Sequence, residues 1–157
     1  MSGGGAAESV TRLLSAVDRL DWDGVRSLLD STVRLDYTSL FGGEVETVER
    51  EEVIARWRSL LPGFDATQHL TGPVTADVRD GHADCRTAVR AYHHLIGEEG
   101  RGTWMTAGFY HISARREAAA WRISAITLEA LYEEGDRALT QQAARRVELA
   151  SGGRVRA

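Results

Sequence analysis

The chain has 157 residues, 43% of them apolar and 27% charged, with a formal net charge of −4. That is the size and composition of one globular domain with room for a single core, and its positive residues are spread rather than gathered into the basic stripe that a nucleic-acid surface needs. No lysine occurs anywhere, which excludes a lysine Schiff base, a pyridoxal-phosphate anchor and a phosphate-loop lysine.

Residues 1–7 read as a loose tail, without the basic start or apolar middle of an export signal. Val10, Leu13, Leu14, Val17 and Leu20 then recur at helical spacing. Asp21 is placed to cap a second short helix that buries Trp22, Val25, Leu28 and Leu29. In Thr32-Val-Arg-Leu-Asp-Tyr-Thr38 the alternation puts Val33, Leu35 and Tyr37 on one face of a strand. Phe41-Gly42-Gly43 reads as a turn. From about Val48 to Leu61 a third helix carries the stripe Val53, Ile54, Trp57, Leu60 and Leu61, and Pro62-Gly63 ends it. Four strand-like runs follow, Ala66–Val78, Ala83–Ile96, Thr103–Ala114 and Trp121–Leu131. Their spacers, Arg79-Asp-Gly81, Gly97–Gly102 and Arg115–Ala120, suit the hairpins of an antiparallel sheet. A terminal helix from Asp136 trails into a flexible end at Ser151. Helices first and hairpins second imply an α+β domain over residues 8–135, its helices on one face of a bent sheet, with residues 136–157 as an appended helix and tail.

No apolar run approaches the ~20 residues of a membrane span. Cys85, the single cysteine, has no internal disulfide partner and fits a reducing compartment, so cytoplasm is the expected location. No charged neighbour on its own face would lower its pKa, so it is not expected to be a nucleophile. There is no GxGxxG, CxxC or HExxH, and the histidines and aspartates lack tight ligand spacing; no metal or cofactor is expected.

Chemistry-bearing residues are few. Asp18 lies at the edge of the first apolar stripe, where a carboxylate is ordinarily solvated and otherwise needs a partner. His69 shares a strand face with Thr67 and Thr71. It becomes a base only if a carboxylate holds one ring nitrogen and leaves the other free. His93 closes the small, apolar face Cys85, Thr87, Val89, Ala91, making it the buried histidine, whereas His94, His82 and His111 face outward. Tyr37 can present its hydroxyl to a pocket. Asp36 has the opposite parity and is expected to be a surface or loop-bonding group. Leu40, Trp57, Phe64, Trp104 and Tyr110 are candidate pocket-wall residues, a lining suited to a flat, ring-containing molecule.

Asp21-Trp22-Asp23, Val33-Arg-Leu-Asp-Tyr-Thr-Ser39, Thr67-Gln-His69 and a strand ending at His93 together resemble scytalone dehydratase and the wider SnoaL-like group of the nuclear transport factor two superfamily. The likeness runs from about residue 10 to 135. It implies a curved antiparallel sheet wrapped by helices into a cone with one deep pocket. It also implies that Asp18 hydrogen-bonds His69, that His93 is a second pocket histidine, and that Tyr37 is one of two tyrosines holding a water against a substrate carbonyl. Two departures stand out: Val17 occupies the second tyrosine's place, and Gly108 lies near that of a pocket asparagine.

What the resemblance implies is cofactor-free proton transfer: a dehydratase acting on a ring-containing hydroxy-ketone or polyketide-type molecule. A cyclase or isomerase of natural-product biosynthesis uses the same steps, including opening of an epoxide with Asp18 as the acid. A non-catalytic binding or dimerisation module is the remaining reading. Asp18 would orient His69, His69 would take a proton α to a carbonyl, Tyr37 would stabilise the enolate oxygen, and His93 would hold or protonate a second oxygen. Neither nucleic acid nor membrane is an expected partner. Relatives on this fold associate through the outer sheet face, so a homo-oligomer, dimer or trimer, is expected.

Overall fold

The computed structural model describes residues 2–97 and 100–156. The first apolar stripe becomes helix α1 (Ser2–Asp18) and packs Val10, Leu13, Leu14 and Val17 into the core. The tail expected over residues 1–7 is helical from Ser2, and Ala6 is fully buried. Gly5 allows a close approach: a Cβ there would stand only 3.2 Å from the Trp121 indole. Asp21 caps α2 (Trp22–Leu28), accepting the Gly24 N–H at 3.0 Å, as the sequence leads one to expect.

Strand β1 (Leu29–Asp36) ends before Tyr37, short of the expected Thr38, and a single helical turn, α3 (Thr38–Phe41), precedes the expected Phe41–Gly43 turn. The short strand β2 (Glu46–Glu49) then leads into α4 (Arg50–Arg58) and a tight turn at Leu61–Gly63. The expected run Ala66–Val78 is two strands, β3 (Ala66–Thr71) and β4 (Thr75–Arg79). They are divided at Pro73, which has no N–H to give a ladder. Both pair with β5 (His82–Gly97). Asp80 and Gly81, with φ of 52° and 75°, make the tight hairpin turn that an Asp-Gly pair favours.

β6 (Gly100–Glu117) and β7 (Ala120–Gly135) complete a seven-stranded sheet of order β2-β1-β7-β6-β5-β3, with β4 also on β5. Every pairing is antiparallel except one: β1 lies parallel to β7. Almost the whole domain separates these two strands in sequence, so no hairpin constrains their direction. Irregular registers at Leu29/Arg34, Ala107/Gly108 and Ser113/Ala114 bend the sheet. The α+β architecture expected from the sequence is therefore present.

Helix α5 (Leu139–Arg156) follows, and the flexible end expected from Ser151 lies within it. Residues 98 and 99 of the expected Gly97–Gly102 spacer, like residues 1 and 157, lie outside the described residues. The main core fills the space between α1, α2, α4 and the inner sheet face. A smaller one joins α5, through Leu139 and Ala143, to Phe64, Leu95 and Trp104. The second contact requires glycine: a Cβ on Gly63 would stand 1.9 Å from the Ala143 carbonyl oxygen.

Candidate active site

Asp18 is the last residue of α1, where the helix dipole disfavours a negative charge. Three donors offset that cost. β3 is an edge strand, so the His69 backbone N–H is spare, and it donates to Asp18 Oδ2 at 2.7 Å. The Thr67 hydroxyl donates to Oδ1 at 3.0 Å, and His69 Nδ1 lies 2.7 Å from the same oxygen. Burial alone would push the Asp18 carboxyl up, but the bonds and charge interaction with His69, helped by Thr67, hold it below the usual carboxylate range. An ionised Asp18 accepts only, so Nδ1 carries the proton and Nε2 keeps the lone pair.

His69 stands between two spaces. On one side is a groove between α1 and β3, lined by Thr11, Ser15, Asp18 and Thr67. On the other is a cavity of about 340 Å³ inside the cone. Its walls are largely apolar, with Leu13, Leu14 and Val17 from α1, Trp57 and Leu60 from α4 and its C-terminal end, and Ile112 and Leu128 from the sheet. Glu44, Glu46, Arg56 and Phe41 also line it. Arg56 is neutralised by Glu46 at 2.8 Å and Glu52 at 2.9 Å.

His93 has the parity expected of it: Cys85, Thr87, Val89, Ala91 and His93 are all buried, and His93 lines the cavity. Its ring stacks on Trp104 with centroids 4.5 Å apart, and Phe64 backs it at 5.1 Å. Nδ1 lies 3.2 Å from the Trp104 carbonyl oxygen, which can only accept. Burial, reinforced by repulsion from His69, drives the His93 pKa down to about 4. The ring is neutral at neutral pH and its proton sits on Nδ1. Nε2 is therefore an acceptor. The His69 and His93 ring centroids are 6.2 Å apart.

Tyr37 follows β1 directly, at the start of α3, and lines the cavity. Burial pushes Tyr37 up to about 12, with the neighbouring Tyr110 hydroxyl acting the other way, and burial pushes Tyr110 well above its ordinary value. Both phenols are proton donors at any ordinary pH. Tyr110 was expected only as wall; it is also the neighbour of the Tyr37 hydroxyl.

Leu40, Trp57, Trp104 and Tyr110 line the cavity as expected. Phe64 does not: it follows the tight turn rather than a helix, and it packs behind His93 in the smaller core. Val17 lines the cavity where the resemblance places a tyrosine. At Gly108 a side chain is ruled out by the backbone, since a Cβ would stand 2.1 Å from the Glu129 carbonyl oxygen at the β6–β7 irregularity. Asp36 bonds within its own loop, accepting from the Thr38 N–H and hydroxyl at 3.1 and 2.7 Å. His82 and His111 are exposed, paired with Asp84 and Glu129. Cys85 is buried and its thiol is pushed up to about 11, first by burial and then by Asp84. Among the described residues no group of three or more metal-ligating side chains converges, and no helix is long and apolar enough to cross a membrane.

Sequence reasoning missed Thr67, Thr106 and the brace behind Trp104. The Trp104 indole N–H donates to Glu133 at 2.7 Å, and Glu133 is paired in turn with Arg137. Only the two-residue step from Thr67 to His69 on one strand face signalled the first of these.

A family model for the SnoaL-like domain matches residues 6–127, and the chain belongs to that family. Among solved structures it is similar to the Kfla4162 protein from Kribbella flavida, with 27% identity, 90% of this chain and 95% of the other covered, and a TM-score of 0.79. A candidate scytalone dehydratase from Novosphingobium aromaticivorans shares the fold at a TM-score of 0.67 and 16% identity, covering 83% and 84% of the two chains. So does the hexachlorocyclohexane dehydrochlorinase LinA-type3 from Novosphingobium barchaimii, at 0.69 and 13%, covering 85% and 89%. A search of curated proteins by sequence returns no match.

Proposed function

We propose that this protein is a cofactor-independent acid/base enzyme, a dehydratase acting on a ring-containing hydroxy-ketone or polyketide-type molecule. The observation that carries this reading is the Asp18–His69 pair: His69 lines an apolar cavity while Asp18, 2.7 Å away, holds its Nδ1 and leaves Nε2 free. His69 Nε2 removes a proton α to the substrate carbonyl, and the negative charge moves to the carbonyl oxygen. The Tyr37 hydroxyl donates to that oxygen, with the Tyr110 phenol beside it in the same wall. Collapse of the enolate forms the carbon–carbon double bond and expels the β-hydroxyl. The proton now on His69 goes to that hydroxyl, so water leaves and His69 returns neutral. His93, neutral and presenting an acceptor, holds a second substrate hydroxyl rather than protonating it.

The SnoaL-like match and the same geometry also support a cyclase or isomerase, in which the enolate attacks an internal electrophile or is reprotonated elsewhere. The two are separated by product: loss of water distinguishes the dehydratase. An open cavity, rather than packed core, at His69 weighs against a non-catalytic module. The test is a panel of ring-containing hydroxy-ketones assayed with the wild type and His69→Ala in parallel. Turnover that falls about 10²–10⁴-fold in the variant supports the proposal, and unchanged turnover overturns it.

A further inference from the structure

One buried polar side-chain atom of the cavity wall has no partner in the protein. Asp18 takes the His69 proton, the Trp104 carbonyl takes that of His93, and Glu133 takes the Trp104 indole N–H. Thr106 also lines the cavity and is only 3% exposed, yet its hydroxyl oxygen has no hydrogen-bond partner. Among the described residues the only other such orphan is Arg50 Nε, which is not part of the cavity. A buried hydroxyl left unpaired costs stability, and a ligand oxygen is the partner this position lacks.

The sheet register places it. His69, Ala91 and Thr106 form one lateral row across β3, β5 and β6, and Thr67, His93 and Trp104 form the next. Thr106 is thus the diagonal neighbour of His93 on the adjacent strand, about 7–8 Å away between backbones. Ala91, with the smallest side chain of its row, leaves the space above them open. Both residues line that cavity, His93 with Nε2 as its free ring acceptor and Thr106 with a hydroxyl buried in the wall.

We propose that His93 and Thr106 together form a hydroxyl-recognising subsite. A ligand hydroxyl donates its proton to His93 Nε2 and accepts one from the Thr106 hydroxyl, which reaches it by rotation about χ1. A carbonyl, an ether or a halide cannot do both, since none has a proton for His93. The substrate therefore carries a second hydroxyl, separate from the carbonyl held by Tyr37. This rests on the cavity being the substrate site, and it deepens that reading by naming a group the substrate must bear.

The probe is a tetralone with a hydroxyl on its aromatic ring, compared with its methyl ether by titration calorimetry. Exchange of the tetralone α-protons in heavy water reads the acid/base centre separately. Two net hydrogen bonds predict that the wild type prefers the hydroxytetralone by about 10–100-fold. Thr106→Val, which keeps the shape, lowers that preference at least about fivefold without lowering the melting temperature of the free protein, whereas Thr106→Ser retains it. His93→Phe loses the preference through the other partner. A wild type without preference, or Thr106→Val with the full preference, overturns the subsite. His69→Ala is expected to keep the preference while exchange stops. Continued exchange in that variant overturns the acid/base reading instead, so the two failures are distinguishable.

Discussion

Replacing Asp18 with asparagine removes one charge and no atoms of bulk, yet the geometry predicts a large effect. The carboxylate accepts three donors: the Thr67 hydroxyl and His69 Nδ1–H on Oδ1, and the His69 backbone N–H on Oδ2. An amide has one acceptor oxygen. If that oxygen keeps the backbone N–H, which cannot turn away, the NH₂ group faces Nδ1 and donates to it. His69 is then forced to carry its proton on Nε2, and the free base is lost. If the amide turns over, two donors meet 2.7 Å apart at the backbone N–H. The first arrangement is favoured, and the expected loss in kcat is about 10²–10⁴-fold. Loss of charge-assisted bonds at a half-buried site also costs about 1–3 kcal/mol, a fall of about 3–10 °C in melting temperature. The tautomer is read directly from the ¹⁵N shifts of the His69 imidazole: protonated Nδ1 in the wild type, protonated Nε2 in Asp18→Asn. A variant that keeps the wild-type tautomer and turns over within about threefold would refute the reasoning.

Other outcomes follow from the same structure. Because the folded-state pKa of His93 is about 4 against an ordinary 6.5, the unfolded chain takes up a proton between those values while the folded protein does not, and stability falls as pH drops through that window. The loss is about 3 kcal/mol, and His93→Phe is expected to flatten the melting temperature profile there. Asp18 acts lower: its pKa is held below 3.8, so its contribution is intact above that value and is lost as pH falls through the folded pKa, a step absent from Asp18→Asn in acid denaturation. Gly63→Ala drives a methyl into the Ala143 carbonyl oxygen and is expected to cost about 1–3 kcal/mol, seen in thermal unfolding. Cys85 is expected to resist a thiol reagent in the native protein and react only after denaturation, because it is buried with its pKa at about 11.

Parity along β5 could be read from the sequence because sixteen consecutive residues alternate without a break, so the placing of His93 inside and His94 outside follows from counting. Phe64 could not be placed in that way: a tight turn precedes it, and neither helical nor strand phase reaches across. The helical start of α1 was hidden because Ser2-Gly-Gly-Gly has poor helix propensity, and what holds it is a distant contact with Trp121. β2 is short and mostly polar, so its alternation carries little signal. Asp18 and His69 are 51 residues apart, and each alone looks ordinary; only the family resemblance brought them together. One local clue was available, a carboxylate at the C-terminal end of a helix, where the dipole opposes it. Thr106 left no trace, since an unpaired hydroxyl becomes visible only when its surroundings are known.

The family match ends at residue 127, but the structure behind His93 continues past it. Glu133 and Arg137 brace the Trp104 indole, while Leu139 and Ala143 on α5 close the small core beneath Trp104 and Phe64. Asp18, Thr67 and His69 form their hydrogen bonds among themselves. The Asp18–His69 pair therefore lies within the stretch that the family model matches, whereas the wall behind His93 is propped partly by residues beyond it. On the proposed reading, substitutions along α5 reshape the cavity wall while the carboxylate–histidine pair keeps its own bonds.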